Sequence, residues 1–187
     1  SQLTEAQRIA FVHETNVAMK RSVAVMSSSV TARARARIDA LQQLEDRMAD
    51  LEGARADVLL IAPSELTELC DQDKPSPLLV VVAASISVLF DVKPAWPSVR
   101  AFMLKPTFLP EVVKLKVDDA THRSVDVARK LISSNKEVAT MRGNHNYPQA
   151  IRFLARWVTA FTNAFLCEAE AEEEEMQFLQ EGGAEGA

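Results

Sequence analysis

The chain has 187 residues, 48% of them apolar, with only five glycines and 6% aromatic residues, a composition that favours long helices around a buried core. Its net charge of −5 argues against a dedicated nucleic-acid-binding protein, and two cysteines are too few for a disulfide framework. The longest apolar run, residues 78–90, is shorter than the roughly 20 residues of a membrane span, and we expect neither membrane insertion nor a secretory leader.

Charge and composition divide the chain into three segments. Residues 1–63 carry equal numbers of acidic and basic side chains, and residues 64–166 have a net charge of +3. Residues 167–187 carry eight glutamates and no basic residue. We expect a long first helix in 1–63, a helical bundle in 64–166, and in 167–187 the start of a returning helix with a solvated, frayed acidic tail.

The first segment has the apolar periodicity of a coiled coil. Side chains recur at spacings of three and four, and no proline or glycine interrupts residues 1–51. The seam consists of Ile9, Val12, Asn16, Met19, Val23, Met26 and Val30, and continues through Ala34, Ile38, Leu41, Leu44, Met48 and Leu51. Its offset near Ala34 is a stutter, and the polar Asn16 is the kind of residue that fixes register. A helical hairpin broken at the serines of residues 27–29 is the alternative.

Prolines separate the first helices of the middle segment. Pro63 can start a short amphipathic helix over residues 64–69, because its missing N–H would be unpaired there in any case. Residues 78–90 are apolar nearly all round, which predicts the buried central helix of a bundle. A strand at the three valines of residues 80–82 is the alternative.

Further helices complete the predicted bundle. One is expected over residues 96–104, followed by a kinked segment around Phe108, since prolines flank it. Asp118 and Asp119 are predicted to cap the next helix, residues 120–132. After a loop, a last helix should begin at Gln149, with an apolar side made of Ile151, Leu154, Trp157, Val158, Phe161 and Phe165. The predicted fold class is all-α, a small helical bundle at the tip of an antiparallel coiled coil.

Motifs for catalysis are absent from the sequence. There is no glycine-rich phosphate loop ending in Gly-Lys-Ser/Thr, and Cys70 and Cys167 lack the paired spacing of a zinc site. The three histidines are isolated along the chain. We therefore predict no catalytic residue, no metal and no cofactor, and an unrelated helical enzyme is the least favoured interpretation.

An ordered set of short strings resembles one family. The strings are residues 74–77 (Lys-Pro-Ser-Pro) with the apolar run 78–90, residues 91–94 (Asp-Val-Lys-Pro), the segment 96–110 that begins Trp-Pro-Ser-Val-Arg, and the pair Arg156-Trp157. In this order and spacing they resemble the microtubule-binding domain at the tip of the dynein heavy-chain stalk. The resemblance covers roughly residues 40–175.

The resemblance implies a track-binding module whose partner is tubulin. It implies that a sliding register change in the stalk coiled coil switches the tip between tight and weak binding, while ATPase modules elsewhere in such a heavy chain supply the energy. Tubulin's outer surface is acidic, so binding should be electrostatic and sensitive to salt. The positions that correspond to microtubule contacts are Lys74, Arg100, Lys105, Arg152 and Arg156.

Two departures from the family keep an alternative open. Residues 64–73 are acidic where the family offers lysines, and the incoming helix is about three times as long as the outgoing one. Either the chain is part of a longer heavy chain, or residues 1–40 pair with a helix of another chain, such as an axonemal protein. The alternative function is a non-motor structural protein of the cytoskeleton or cilium with weak or no microtubule binding. Either function implies the cytoplasm and cytoskeleton, or the axoneme of a cilium.

Overall fold

The computed structural model describes residues 5–141 and 143–184, with side chains described for 14–25, 28–141 and 143–180. These residues form helices and turns and include no strand, so the all-α prediction is confirmed. The helices are α1 (Glu5–Val58), α2 (Pro63–Cys70), α3 (Pro77–Leu89), α4 (Trp96–Met103), α5 (Phe108–Lys114), α6 (His122–Ser133), α7 (Lys136–Thr140) and α8 (Gln149–Ala184). Contacts divide them into two units, the compact unit Gln43–Glu170 and a two-helix unit from the described parts of 1–42 and 171–187.

Helix α3 forms the centre of the compact unit. Its residues are apolar or small on every side, and Leu79, Val82 and Ile86 are fully buried. Pro77 occupies the first turn, where a missing N–H costs nothing. Helices α4 and α6 pack against α3. The predicted central helix is therefore confirmed, and residues 80–82 are helical rather than a strand.

The start of α6 differs from the prediction. Asp118 and Asp119 belong to a 3₁₀ turn, Val117–Asp119, and do not cap the helix. The cap is Thr121, whose backbone is extended and whose Oγ1 accepts a hydrogen bond from the Ser124 N–H at 3.1 Å. Ser124 reciprocates, since its Oγ accepts the Thr121 N–H at 3.2 Å. This two-way bond fixes the start of α6 at His122, two residues beyond the predicted start at residue 120.

The segment around Phe108 is a regular helix, α5, where the sequence predicted a kink. Pro110 is its third residue. A proline in the first turn breaks no intrahelical hydrogen bond, because the N–H groups there have no partner within the helix. Phe108 is buried, and its ring meets Phe102 edge to face with the centroids 5.1 Å apart.

Helices α1 and α8 lie side by side within the compact unit. The predicted apolar side of α8 is confirmed, and α1 contributes Leu51, Ala54 and Val58 to the same core, all fully buried. Arg156 of α8 forms ion pairs with α1, and Arg47 of α1 acts electrostatically on Cys167. Because these partners run in opposite directions along the two helices, the pair is antiparallel. Residues 43–62 and 167–170 thus join the bundle, although composition placed the boundaries at 63 and 166.

The two-helix unit consists of the first part of α1 and the last part of α8. Arg37 Nη2 lies 2.8 Å from Glu175 Oε1, and the Arg37 guanidinium lies 5.2 Å from the centre of the Phe178 ring. Helix α1 continues through residues 27–29, so the alternative of a hairpin broken at these serines is wrong. The glutamates 172–175 lie in α8, where composition suggested a frayed tail.

The predicted coiled-coil seam is uncovered along much of α1. Met19, Val23, Val30, Ile38 and Leu41 are each at least half exposed. The seam positions Ile9, Val12 and Met26 lie outside the side chains that the structure describes. A coiled coil over this stretch therefore stays a prediction. Over the described ranges, none of the helices combines the length and the apolar character that crossing a bilayer requires.

Candidate functional site

Arg100 is fixed against the end of α2. Its Nε–H donates to the Cys70 carbonyl oxygen at 3.0 Å, and Nη2 lies 2.8 Å from Asp71 Oδ1. The carbonyl groups at a helix C-terminus lack partners within the helix and carry partial negative charge, so a guanidinium stabilises this end of α2. The side chain remains 43% exposed. Arg100 therefore presents a positioned positive charge at the surface, partly neutralised by Asp71.

Lys74 and Lys105 are the most accessible of the predicted contacts. Lys74 is exposed in the loop between α2 and α3, and Lys105 is exposed just beyond α4. Lys105 Nζ lies 5.8 Å from the centre of the Phe102 ring. In the described ranges neither lysine forms an ion pair. Their charges are therefore available to an acidic partner.

Arg152 lies half buried in the first turns of α8. Its Nε–H donates to the Tyr147 carbonyl oxygen at 3.3 Å, which ties the helix to the loop before it. Its guanidinium lies 5.8 Å from the centre of the Phe153 ring. These contacts orient the side chain along the start of α8 and leave its charge without a carboxylate in the described part of the chain.

Arg156 connects α8 to α1. Its guanidinium bonds to the carboxylates of Asp57 and Asp50, the latter at 3.3 Å. Gly53 lies between these aspartates, and a Cβ there would stand 3.0 Å from Arg156 Nη2. The hydrogen bond that Arg156 donates to Asp57 raises the pKa of Arg156 above its usual range, burial opposes this shift, and Asp50 adds to it. These ion pairs occupy the guanidinium, so the geometry supports a role in holding α1 against α8.

The structure brings only part of the predicted set together. Arg100 contacts the end of α2, and Lys74 follows that end by a few residues. Arg152 and Arg156 lie one turn apart on α8 and bond to different elements. Whether any of the five contacts a filament stays a prediction.

The two carboxylates that bind Arg156 were missed in the sequence. Asp50 and Asp57 are seven residues apart, a spacing that places both on one face of a helix. That spacing was the available signal for an arginine partner.

A second contact between helices was also missed in the sequence. Arg55 Nη2 donates a hydrogen bond to the Leu115 carbonyl oxygen at 2.6 Å and so links α1 to the end of α5.

Cys70 adjoins the Arg100 site but is a poor nucleophile. Burial raises the pKa of its thiol, which the nearby Arg100 charge lowers and Asp71 raises. Because the thiolate is the reactive form, this environment keeps Cys70 in its inert form at neutral pH.

Comparison with known proteins does not assign the chain to a family. No protein-family model matches the chain, and no curated protein matches it. The resemblance to the dynein stalk tip therefore stays a prediction from the sequence strings.

Proposed function

We propose that this chain is the microtubule-binding stalk tip of a dynein-type motor heavy chain, in which a register change between two stalk helices alters affinity for the filament. The observation that carries the proposal is the antiparallel pairing of α1 and α8 in the compact unit through Arg156, Asp50 and Asp57. A tip of this kind needs two long helices that enter and leave one small bundle side by side.

Charge gives the proposal a binding surface. Residues 64–166 have a net charge of +3, and Lys74 and Lys105 are exposed without carboxylate partners in the described ranges. Arg100, five residues before Lys105 and fixed at the end of α2, adds a third charge. Opposite charges across an interface accelerate association and set its salt dependence. The acidic residues of α2 and Asp71 oppose this attraction, so we expect weak binding.

Co-sedimentation of the whole chain with polymerised microtubules over a salt series tests the proposal. We expect pelleting at low salt that declines as salt screens the charges. The double variant K74Q/K105Q should pellet less than the wild type. The matched control K114Q/K116Q removes two other exposed lysines and should pellet like the wild type. Absence of pelleting at low salt, or equal losses in both double variants, would count against this surface.

The exposed seam of α1 favours a second candidate function. Met19, Val23 and Val30 form an uncovered apolar stripe, as expected if residues 1–40 pair with a helix of another chain in a structural cytoskeletal or ciliary protein. Analytical ultracentrifugation of the wild-type chain and of the M19Q/V23Q variant separates the two candidate functions. Association that this variant abolishes, combined with no microtubule binding, supports the structural function.

A further inference from the structure

A cleft of about 420 Å³ opens in the compact unit between the turn that ends α3 and the first turns of α6. Its apolar lining consists of Val88, Val92, Pro94 and Val127, and its basic lining of Lys93 and Arg123. None of the five predicted filament contacts lines it. Its volume lies within the range of small-ligand sites, about 300–1,000 Å³, so it can hold a few side chains.

The α3 side of the cleft is a fixed turn. Asp91 has a φ of 56°, a left-handed conformation that aspartate tolerates better than most residues. The Val92 N–H donates to the Ser87 carbonyl oxygen at 3.0 Å, and the Asp91 N–H to that of Val88 at 3.4 Å. These two bonds form a Schellman motif that ends α3 and reverses the chain. The reversal places Val92 and Lys93 at the cleft.

The α6 side is equally restrained. The reciprocal bonds of Thr121 and Ser124 fix the first turn of α6, and both residues line the cleft. Arg123 lies between them, and Val127 follows Arg123 by one turn on the same face. The cleft thus has two preformed walls, which lowers the conformational entropy that the protein must lose when a ligand binds.

The charges in the cleft are unbalanced. Across the described ranges neither Lys93 nor Arg123 forms an ion pair, and Asp91 is the one acidic side chain among the described lining residues. A ligand with carboxylates would complement the two cations. The valines between them favour a ligand that also carries apolar groups, because burying those groups adds affinity that a free anion lacks.

We propose that this cleft binds an acidic peptide segment, with carboxylates on Lys93 and Arg123 and an intervening aliphatic side chain on Val88, Val92 and Val127. A peptide, rather than a bare anion, accounts for both the cations and the apolar lining. The proposal does not depend on the proposed function, since it requires neither a filament nor the Arg100 surface.

Fluorescence anisotropy with a short labelled peptide of alternating glutamate and valine tests the proposal on the whole chain. We expect salt-sensitive binding, with a peptide carrying glutamine for glutamate about tenfold weaker. K93Q/R123Q should weaken binding about tenfold, whereas the matched control K136Q/R129Q, which removes a lysine and an arginine elsewhere, should change it less than about twofold. Equal losses in the two double variants, or equal binding of both peptides, overturns the proposal.

Two single variants separate a peptide from a simple anion. D91N keeps a side chain that tolerates positive φ while removing the negative charge, so the glutamate peptide should bind about threefold tighter. V127S should weaken binding about threefold by removing apolar contact. If V127S binds the peptide as the wild type does and inorganic phosphate displaces it fully, the cleft is an anion site only and the peptide proposal fails.

Discussion

Arg156 Nη2 lies 3.3 Å from Asp50 Oδ1, although the two residues are 106 positions apart in the chain. With the Asp57 carboxylate on its other side, the guanidinium joins α8 to α1 at the point where Gly53 leaves room for it. This contact fixes the antiparallel alignment of the two helices in the compact unit, and the account of the fold depends on it.

The close approach of Gly53 to Arg156 can be measured by a double-mutant cycle. Replacing a helix-interior glycine by alanine gains about 1 kcal/mol in the free energy of unfolding. In G53A the new Cβ displaces the Arg156 guanidinium, so part of the gain in the free energy of unfolding should be lost while Arg156 is present. The full gain should return when Gly53 is replaced in the R156Q variant. We expect a coupling energy of about 0.5–1 kcal/mol from urea unfolding. Additive effects of the two substitutions would show that Gly53 and Arg156 do not interact.

Loss of the α6 cap should destabilise the compact unit. T121A removes the hydroxyl that accepts the Ser124 N–H, and we expect a loss of about 1 kcal/mol. T121S retains a hydroxyl and should recover most of it. The control S133A, at the exposed last residue of α6, should change stability by less than about 0.5 kcal/mol. Thermal unfolding measures all three, and equal effects of T121A and S133A would contradict the assigned cap.

Trp157 is the largest fully buried side chain, and its ring stacks on Phe161 with the centroids 5.0 Å apart. W157A should cost about 3–5 kcal/mol through the cavity it leaves. W157F should cost less, because a phenyl ring keeps the stacking and removes an indole N–H that has no hydrogen-bond partner in the described part of the chain. Urea unfolding compares the two variants. Equal losses would indicate that the indole N–H is paired in solution.

Thiol reactivity should report the burial of both cysteines. Burial raises the pKa of Cys70 and of Cys167 above the ordinary 9.0, so little thiolate forms at pH 8. A thiol-specific reagent should therefore modify both far more slowly than free cysteine, and rapidly in urea, with C70A and C167A assigning each reaction.

The same shifts have a definite sign for stability. The pKa values of both thiols are higher in the folded chain than in the unfolded chain. The two protonated thiols therefore contribute fully to the free energy of unfolding below pH 9.0. That contribution is lost as the pH rises through the pKa values of the folded chain. Unfolding free energies measured from pH 8 upward should decline more in the wild type than in C70A. An equal or smaller decline in the wild type would contradict this assignment.

The helices were predictable where the local signals agreed. Pro77 and the apolar run after it set the start and the burial of α3, and the periodicity of α8 gave its buried face. The start of α6 was missed because Asp118, Asp119 and Thr121 are all good caps, and only the extended backbone at Thr121 decides among them. The local sequence alone does not determine which of these three residues caps α6.

The site was less predictable than the fold. The sequence offered both Arg100 and Arg156 as candidate filament contacts, but tertiary contacts give them different surroundings. Arg156 lies between two aspartates of a distant helix, whereas Arg100 meets one carboxylate and a helix end. The ion pairs of Arg156 with Asp50 and Asp57 join residues about a hundred positions apart and form only because α1 packs against α8. The spacing of side chains along one helix does not specify that packing.

The most direct test of microtubule binding uses the ion pair between Arg100 and Asp71. Asp71 competes with an acidic filament for the Arg100 guanidinium, so D71N should tighten filament binding by about two- to fivefold. R100Q should weaken filament binding by a similar factor. The control D126N removes an aspartate that pairs with Lys130 on α6 and should leave affinity unchanged. Dissociation constants for microtubules from co-sedimentation decide the matter. Opposite shifts in D71N and R100Q support the stalk-tip account, whereas identical affinities in all variants, or no binding at low salt, contradict it.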